Sequence, residues 1–177
     1  MIHSDLIGCG TFGTIIGSTN CNSSVLKVPK IGRNYFLLKE LSILKHLETS
    51  QDQQISDGAN HVIKLKGYGE KEMNFGGFLI NMPCLCLSPK GRSAYSYAPN
   101  DLTEMTNMIA EGLKLGLNFI HSRSIVHNDL SFQNFIVEGT RAVIIDFGSA
   151  EPEYSNMDRI VGTPNFCHRD PLKNPTH

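Results

Sequence analysis

Between positions 5 and 30, short apolar and β-branched runs alternate with Gly, Asn and Ser: Leu6-Ile7, Thr14-Ile15-Ile16 and Val25-Leu26-Lys27-Val28. Runs of this kind bounded by turn formers predict a three-stranded meander. From Asn34 to Glu48 the period changes. Leu37, Leu41 and Leu44 stand at i, i+4 and i+7, one face of a helix. Thr49 to Asn60 is polar and aperiodic, which predicts an exposed loop. Val62-Ile63-Lys64-Leu65 and Phe78-Leu79-Ile80 predict two further strands, and Cys86 to Asn100, with Pro89, Gly91 and Pro99, predicts a connector. Asp101 with Glu104 three residues on resembles a capping box. It opens a helix to about Ser122 with the apolar stripe Leu102, Met105, Ile109, Leu113, Leu117 and Ile120. Met108, Leu115 and Phe119 share a second face of that helix, and Gly112 and Gly116 lower its propensity. Phe135-Ile136-Val137 and Ala142 to Ile145 predict a strand pair. A β-rich front half followed by a helix-led back half predicts an α+β fold in two lobes.

The 177 residues suffice for one domain of two small lobes sharing a cleft. With 40% apolar and 19% charged residues, composition is ordinary for a globular protein. The net charge of −1 gives no reason to expect nucleic acid or an anionic membrane as a partner. No apolar run approaches a membrane span, and the first residues lack the basic and apolar regions of a signal peptide. The five cysteines, Cys9, Cys21, Cys84, Cys86 and Cys167, are odd in number and irregular in spacing. Cys84-x-Cys86 lacks the spacing of common zinc sites. A reducing, intracellular compartment, cytoplasmic or nuclear, is therefore expected, with the cysteines as small apolar fillers. Cys9 alone has a second reading, as a reactive thiol.

Candidate chemistry changes the picture most. His127-Asn128-Asp129-Leu130-Ser131-Phe132-Gln133-Asn134 follows the pattern H-x-D-L-x-x-x-N, and Asp146-Phe147-Gly148 follows after one apolar run. Asp129 supplies a carboxylate for a hydroxyl proton; Asn134 and Asp146 supply oxygen ligands for a magnesium ion, with Mn2+ as the alternative. In this order they point to transfer of the γ-phosphoryl group of ATP. Near the start, Gly8-Cys9-Gly10-Thr11-Phe12-Gly13 is G-x-G-x-x-G. A β-branched run, not a helix, follows it, which favours a hairpin over phosphates rather than a dinucleotide fold. Lys27 follows that hairpin. Glu40 lies on the apolar face of its helix, where a buried carboxylate needs a cation, and Lys27 is the candidate, with Glu48 as the other acid considered.

Together these residues, Gly8, Gly10, Gly13, Lys27, Glu40, Asp129, Asn134 and Asp146-Phe147-Gly148, resemble a eukaryotic-type protein kinase, serine/threonine-like. The run from Leu117 to His127 resembles the family's approach to its catalytic loop, and Gly162-Thr163-Pro164 resembles the segment before its A-P-E motif. The resemblance implies a bilobal protein-kinase-like fold spanning 1–177 as a single domain: a β-rich N-lobe with one main helix at about 1–81, a hinge at about 82–87, and a reduced helical C-lobe at about 88–177. It implies catalytic roles for Asp129, Lys27, Asn134 and Asp146, with metal held by Asn134 and Asp146. It implies nucleotide contacts from Ile7, Gly8, Cys9, Gly10, Gly13, Ile15, Lys27, Asn81 and Met82. His127, Glu40, Phe147 and Gly148 would be structural supports, and Thr163 would lie near the substrate. The implied cofactors are ATP and Mg2+, the implied partner a protein substrate, with Ser/Thr favoured over Tyr.

The chain departs from the family in particular places. Asn128 replaces the arginine of H-R-D, which implies activation without loop phosphorylation. Ser131 stands where serine/threonine kinases carry lysine, and His168-Arg169-Asp170 is a decoy, lacking an asparagine at the right offset. The chain looks short for the family, with a truncated C-terminal lobe. Two other readings therefore stand beside an active kinase: a catalytically weak regulatory or decoy module binding nucleotide or a partner kinase, and a small-molecule phosphotransferase. The second face of the long helix predicts an exposed apolar patch, and with it a homo-oligomer or a partner kinase.

Overall fold

The structure is a computed structural model, and it describes residues 6–10, 12–18, 22–49, 56–96 and 102–153. The front half is a five-stranded antiparallel sheet in the order β1-β2-β3-β5-β4, built from β1 Leu6–Cys9, β2 Gly13–Gly17, β3 Val25–Pro29, β4 Lys64–Phe75 and β5 Phe78–Ser88. The predicted meander forms the first three strands, with Ile15 opposite Lys27. Helix α1, Asn34–Glu48, buries Leu37, Glu40, Ile43, Leu44 and Leu47, and Lys45 and His46 occupy its last turn, where cations oppose the helix dipole.

The back half is led by α3, Leu102–Ser122, after β6, Arg92–Ser93. A three-stranded sheet β6-β8-β9 follows, with β8 Phe135–Glu138 and β9 Arg141–Ile144. A two-stranded sheet pairs β7 Ile125–Val126 with β10 Glu151–Pro152. The front and back halves are stitched by backbone: Ile63 N donates to Ile144 O at 2.9 Å, and Ile144 N donates to His61 O at 2.8 Å. Val62, Ile63, Ala142, Val143, Ile144 and Phe147 lie in one core with Leu37, Leu44 and Ile120. Fully burying a side chain of this size stabilises by roughly 1.5–3 kcal/mol. No helix among the described residues is long and apolar enough to cross a membrane.

Several expectations are corrected. Strands β4 and β5 run far beyond 62–65 and 78–80 as one long hairpin. Its turn, Gly76-Gly77, has φ of 62° and 98°, the left-handed pair that a two-residue type I′ loop requires. The aperiodic stretch 49–60 ends in a helical turn, α2 Ser56–Ala59, rather than in exposed loop. Gly58 of that turn lies so close to α3 that a Cβ there would meet Leu115 O at 2.6 Å and Phe119 Cβ at 2.8 Å. The second face of α3 is therefore covered. Phe119 is 6% exposed and Met108 packs against the core, so the predicted apolar patch does not form there. The proposed capping residue Asp101 lies outside the described residues, as do the side chains of Glu104, Leu102 and Met105. So do Cys21, Thr163 with its neighbours 162 and 164, Cys167 and the segment 168–171.

Gly112 and Gly116, read as a weakness of the helix, are contact points. A Cβ on Gly112 would meet Ala142 Cβ at 2.9 Å and Ala142 O at 3.0 Å, and one on Gly116 would meet His61 O at 3.0 Å. The missing side chains let α3 sit directly on β9. Gly112→Ala gains about 1 kcal/mol of helix propensity. We expect it nonetheless to lower the unfolding free energy by roughly 1–3 kcal/mol through overpacking. Urea denaturation checks the sign, and a stabilised variant would contradict the close contact.

Candidate active site

Strand β3 aims Lys27 between two carboxylates. Its Nζ lies 2.6 Å from Glu40 Oε2 and 2.9 Å from Asp146 Oδ1. Lys27 and Glu40 have side chains only 7% and 1% exposed, whereas Asp146 is partly open to the cleft. Burial alone would depress the Lys27 ammonium, but the charges of Glu40 and Asp146 outweigh it and hold its pKa above the ordinary value. Burial likewise raises the Glu40 carboxyl against the pull of Lys27. Asp146 ends below its usual value, because Lys27 and the Gly148 N–H overcome the effect of its burial. Gly13 lets β2 approach the backbone of β3 beside the lysine. A Cβ there would lie 2.9 Å from Val28 O and 3.5 Å from Lys27 Cε.

Phe147 is fully buried beneath α1, and its N–H donates to Glu40 Oε1 at 3.3 Å. Asp146 itself takes φ of 66°, left-handed for a residue with a Cβ. That conformation costs roughly 1–2 kcal/mol, and the Lys27 contact and the bond from Gly148 N to its Oδ1 at 3.4 Å hold it there. Asn128 is also left-handed, at 64°, and its Nδ2 donates to Ser149 O at 3.3 Å. On α1, beside Glu40, Lys39 Nζ reaches Glu151 Oε1 at 2.8 Å and Ser149 O at 3.5 Å. The segment after Asp146 is thus tied both to the helix and to the loop below it.

Across the cleft, Asn134 Nδ2 donates to Asp129 O at 2.7 Å and to Asp129 Oδ2 at 3.0 Å. The amide is consumed as donor, so its carbonyl oxygen is the atom left for a cation. Asp146 Oδ1 is occupied by Lys27, which leaves Oδ2. Two hard oxygen donors facing one cleft suit Mg2+. Among the described residues no group of three or more His, Cys, Asp or Glu forms a softer metal cluster.

His127 is buried behind this pair. Its Nδ1 accepts from Asp129 N at 3.3 Å, its Nε2 lies 3.0 Å from Ile145 O, and its ring meets Phe147 edge-on at 4.9 Å. An N–H aimed at Nδ1 assigns the neutral tautomer with the proton on Nε2.

A cleft of about 390 Å³ lies between the glycine-rich hairpin and the Asp129 run, a volume suited to a small molecule. Ile7, Gly8, Cys9, Gly10, Gly13, Ile15, Lys27, Glu40, Asp129, Asn134 and Asp146 all line it. Asn81 and Met82 do not. They sit in the long hairpin, Asn81 exposed and Met82 packed with Val28 and Cys84. Strand β5 continues unbroken through 82–87, and β3 pairs with its end, Val25 opposite Leu87. The segment at the cleft edge is instead Pro89-Lys90-Gly91, with Leu87 and Ile63 behind it. The turn signal was present in Pro89 and Gly91, but the apolar run before it offered two registers. Sequence reasoning also missed Phe12, at the tip of the glycine-rich hairpin. It stacks on Phe36 of α1 with ring centroids 4.1 Å apart.

With this geometry in hand, comparison with known proteins is direct. The protein kinase domain model matches residues 2–176, and the chain belongs to that family. It is 37% identical over 182 residues to the meiosis-specific serine/threonine-protein kinase MEK1 of Saccharomyces cerevisiae, covering 94% of this chain and 35% of that protein. It is 28% identical over 172 residues to mitogen-activated protein kinase kinase kinase 17 of Arabidopsis thaliana, covering 91% and 42%. A probable serine/threonine-protein kinase of Dictyostelium discoideum, clkA, is 29% identical over 181 residues, covering 92% and 18%. The chain therefore spans less than half the length of these curated relatives.

Burial lowers the His127 pKa below its ordinary 6.5, against the weaker opposing effects of Ile145 O, Asp146 and Asp129. The native state refuses a proton that the unfolded chain accepts. The stabilisation is whole above about pH 6.5 and declines as pH falls towards the folded pKa. We expect the melting temperature to fall between about pH 7 and about pH 5, with a shallower fall in His127→Gln whatever its baseline stability. Equal slopes in the two proteins would contradict the neutral assignment.

Proposed function

We propose that this chain binds Mg·ATP in the cleft and transfers the γ-phosphoryl group to a protein hydroxyl, serine or threonine rather than tyrosine. The observation that carries the reading is the Lys27 ammonium held at 2.6 Å and 2.9 Å by Glu40 and Asp146, facing the Asp129–Asn134 pair across the same cleft. Lys27, already fixed by two carboxylates, presents its remaining donor capacity to phosphate oxygens without a rotameric search. Asn134 and Asp146 would hold the metal, which would supply positive charge against the phosphates. Asp129, with Oδ2 oriented by Asn134, accepts or orients the proton of the incoming hydroxyl. The hairpin from Gly8 to Gly13 covers the site and brings backbone N–H groups to the phosphates. Ile7, Ile15, Val25, Ile63 and Leu87 form its apolar wall, suited to a flat heterocycle.

Regulation is part of the proposal. Asn128 carries no charge, and its amide bonds Ser149 O, while Lys39 already has Glu151 as its anion. These contacts support a segment after Asp146, at Ser149 to Glu151, that is held without phosphorylation. Ser131, buried in the cleft lining, supplies no cation of its own, so turnover is expected to be modest.

Saturating Mg·ATP should raise the melting temperature by mass action. Asp129→Asn should leave that shift intact and lower phosphate transfer to a generic protein substrate by roughly two orders of magnitude or more. Lys27→Met should weaken both. Binding without transfer in the wild type would favour the regulatory-module reading. No thermal shift and no calorimetric binding would remove the nucleotide site altogether.

A further inference from the structure

Strand β4 forms one rim of the five-stranded sheet and is its longest strand, at 12 residues. Towards the hairpin tip it is poorly supported. β3 pairs with β5 only at Leu85 to Leu87, so among the described residues the hairpin beyond that point is a two-stranded ribbon. Ribbons of two strands are marginal in water and gain from a third.

The Gly76-Gly77 loop is closed by a hydrogen-bonded pair, Phe75 with Phe78. Bonded pairs alternate along an antiparallel ladder, so Met73, Lys71 and Gly69 turn their backbone groups to β5. Those of Tyr68, Glu70 and Glu72 point off the rim. The opposite edge of the ribbon is blunted by Pro83, which faces Glu70 across the ladder. On β4 no proline intervenes. Gly67 and Gly69 have open space where a Cβ would be. The rim is occupied at Leu65, whose N–H is taken by Glu48 Oε1, and Lys45 of α1 lies over the Tyr68 ring at 4.0 Å.

The charges on this rim are ordered. Lys66, Tyr68, Glu70 and Glu72 are all exposed, with the cation at one end and two anions at the other. None of the three charged residues makes an ion pair among the described residues. Lys66 and Glu70 cannot pair within one strand, being about 13 Å apart along it. A β-bulge between Leu65 and Gly67 interrupts the alternation at Lys66, so regular pairing is confined to the run from Gly67 towards the tip. A second strand of the same sequence running antiparallel there brings the Lys66 end of each strand alongside the Glu70 and Glu72 end of the other. A foreign strand has no such reason to match, and a chain of net charge −1 offers little long-range repulsion to its own copy.

We propose that a second copy of this chain docks antiparallel on β4, joining two five-stranded sheets across a two-fold axis. The inference does not depend on the catalytic reading. Sedimentation velocity on the full chain across the micromolar range is expected to show a monomer–dimer equilibrium. Glu70→Lys with Glu72→Lys, and separately Lys66→Glu, should each weaken dimerisation at least about tenfold. An equimolar mixture of those two variants should form a heterodimer, and the combined triple variant should dimerise again. Unchanged circular dichroism and melting would show that these exposed substitutions leave the fold intact. A wild type that stays monomeric throughout, or a dimer that neither charge variant weakens, would overturn the proposal.

Discussion

The Lys27 ammonium is removed from water in the middle of the molecule, and most of the architecture can be understood as what that requires. An isolated buried cation is prohibitive, and one with two carboxylates at hydrogen-bond distance is tolerated. The carboxylates come from far along the chain, Glu40 from α1 and Asp146 from the turn after β9. Satisfying the lysine therefore fixes three elements relative to one another. Helix α1 must turn the Glu40 face inward, which buries Leu37, Ile43, Leu44 and Leu47 on the same side. Asp146 must be left-handed to reach the lysine, and that turn drives Phe147 under the helix, where its N–H completes Glu40.

The lower wall of the cleft follows from a different constraint, satisfaction of polar groups in a packed interior. Burial favours the neutral form of His127, and the Asp129 N–H aimed at Nδ1 fixes its tautomer. Its ring carries the Asp129 N–H on one side and Phe147 on the other, so Asp129 and the residue that follows Asp146 share one support. Behind them, Gly112 and Gly116 let α3 approach β9, and His61 Nδ1 bonds Ala142 O at 2.8 Å in the same layer. Asn134 O accepts from Ile145 N at 3.0 Å, which ties the run carrying Asp129 to the segment just after β9.

What was legible in the sequence was what local pattern encodes. Helix α1, the meander and the β8–β9 pair each have a clear period, and Glu40 stood out because a carboxylate on an apolar stripe demands an explanation. The hairpin β4–β5 was underestimated because Lys66, Glu70, Lys71 and Glu72 interrupt the apolar pattern, although strand pairing rather than propensity sets its length. The cleft edge was misplaced for a related reason. The apolar run Met82 to Leu87 is all strand, and only pairing with β3 fixes where the strand ends. Gly58, Gly112 and Gly116 are contact residues, a role invisible without the partner surface. Phe12 against Phe36 is likewise a tertiary contact with no local signature.

The most direct measurement of the central constraint is a double-mutant cycle on unfolding free energy at Lys27 and Glu40, using Lys27→Met, Glu40→Gln and the pair. Lys27→Met strands the buried Glu40 carboxylate and should cost roughly 3–5 kcal/mol, whereas Glu40→Gln leaves Lys27 its Asp146 contact and should cost less. The double variant should cost far less than the sum, with a coupling of about 2 kcal/mol or more. Additive losses would contradict the account and would mean that Lys27 and Glu40 act independently of one another in holding the cleft together.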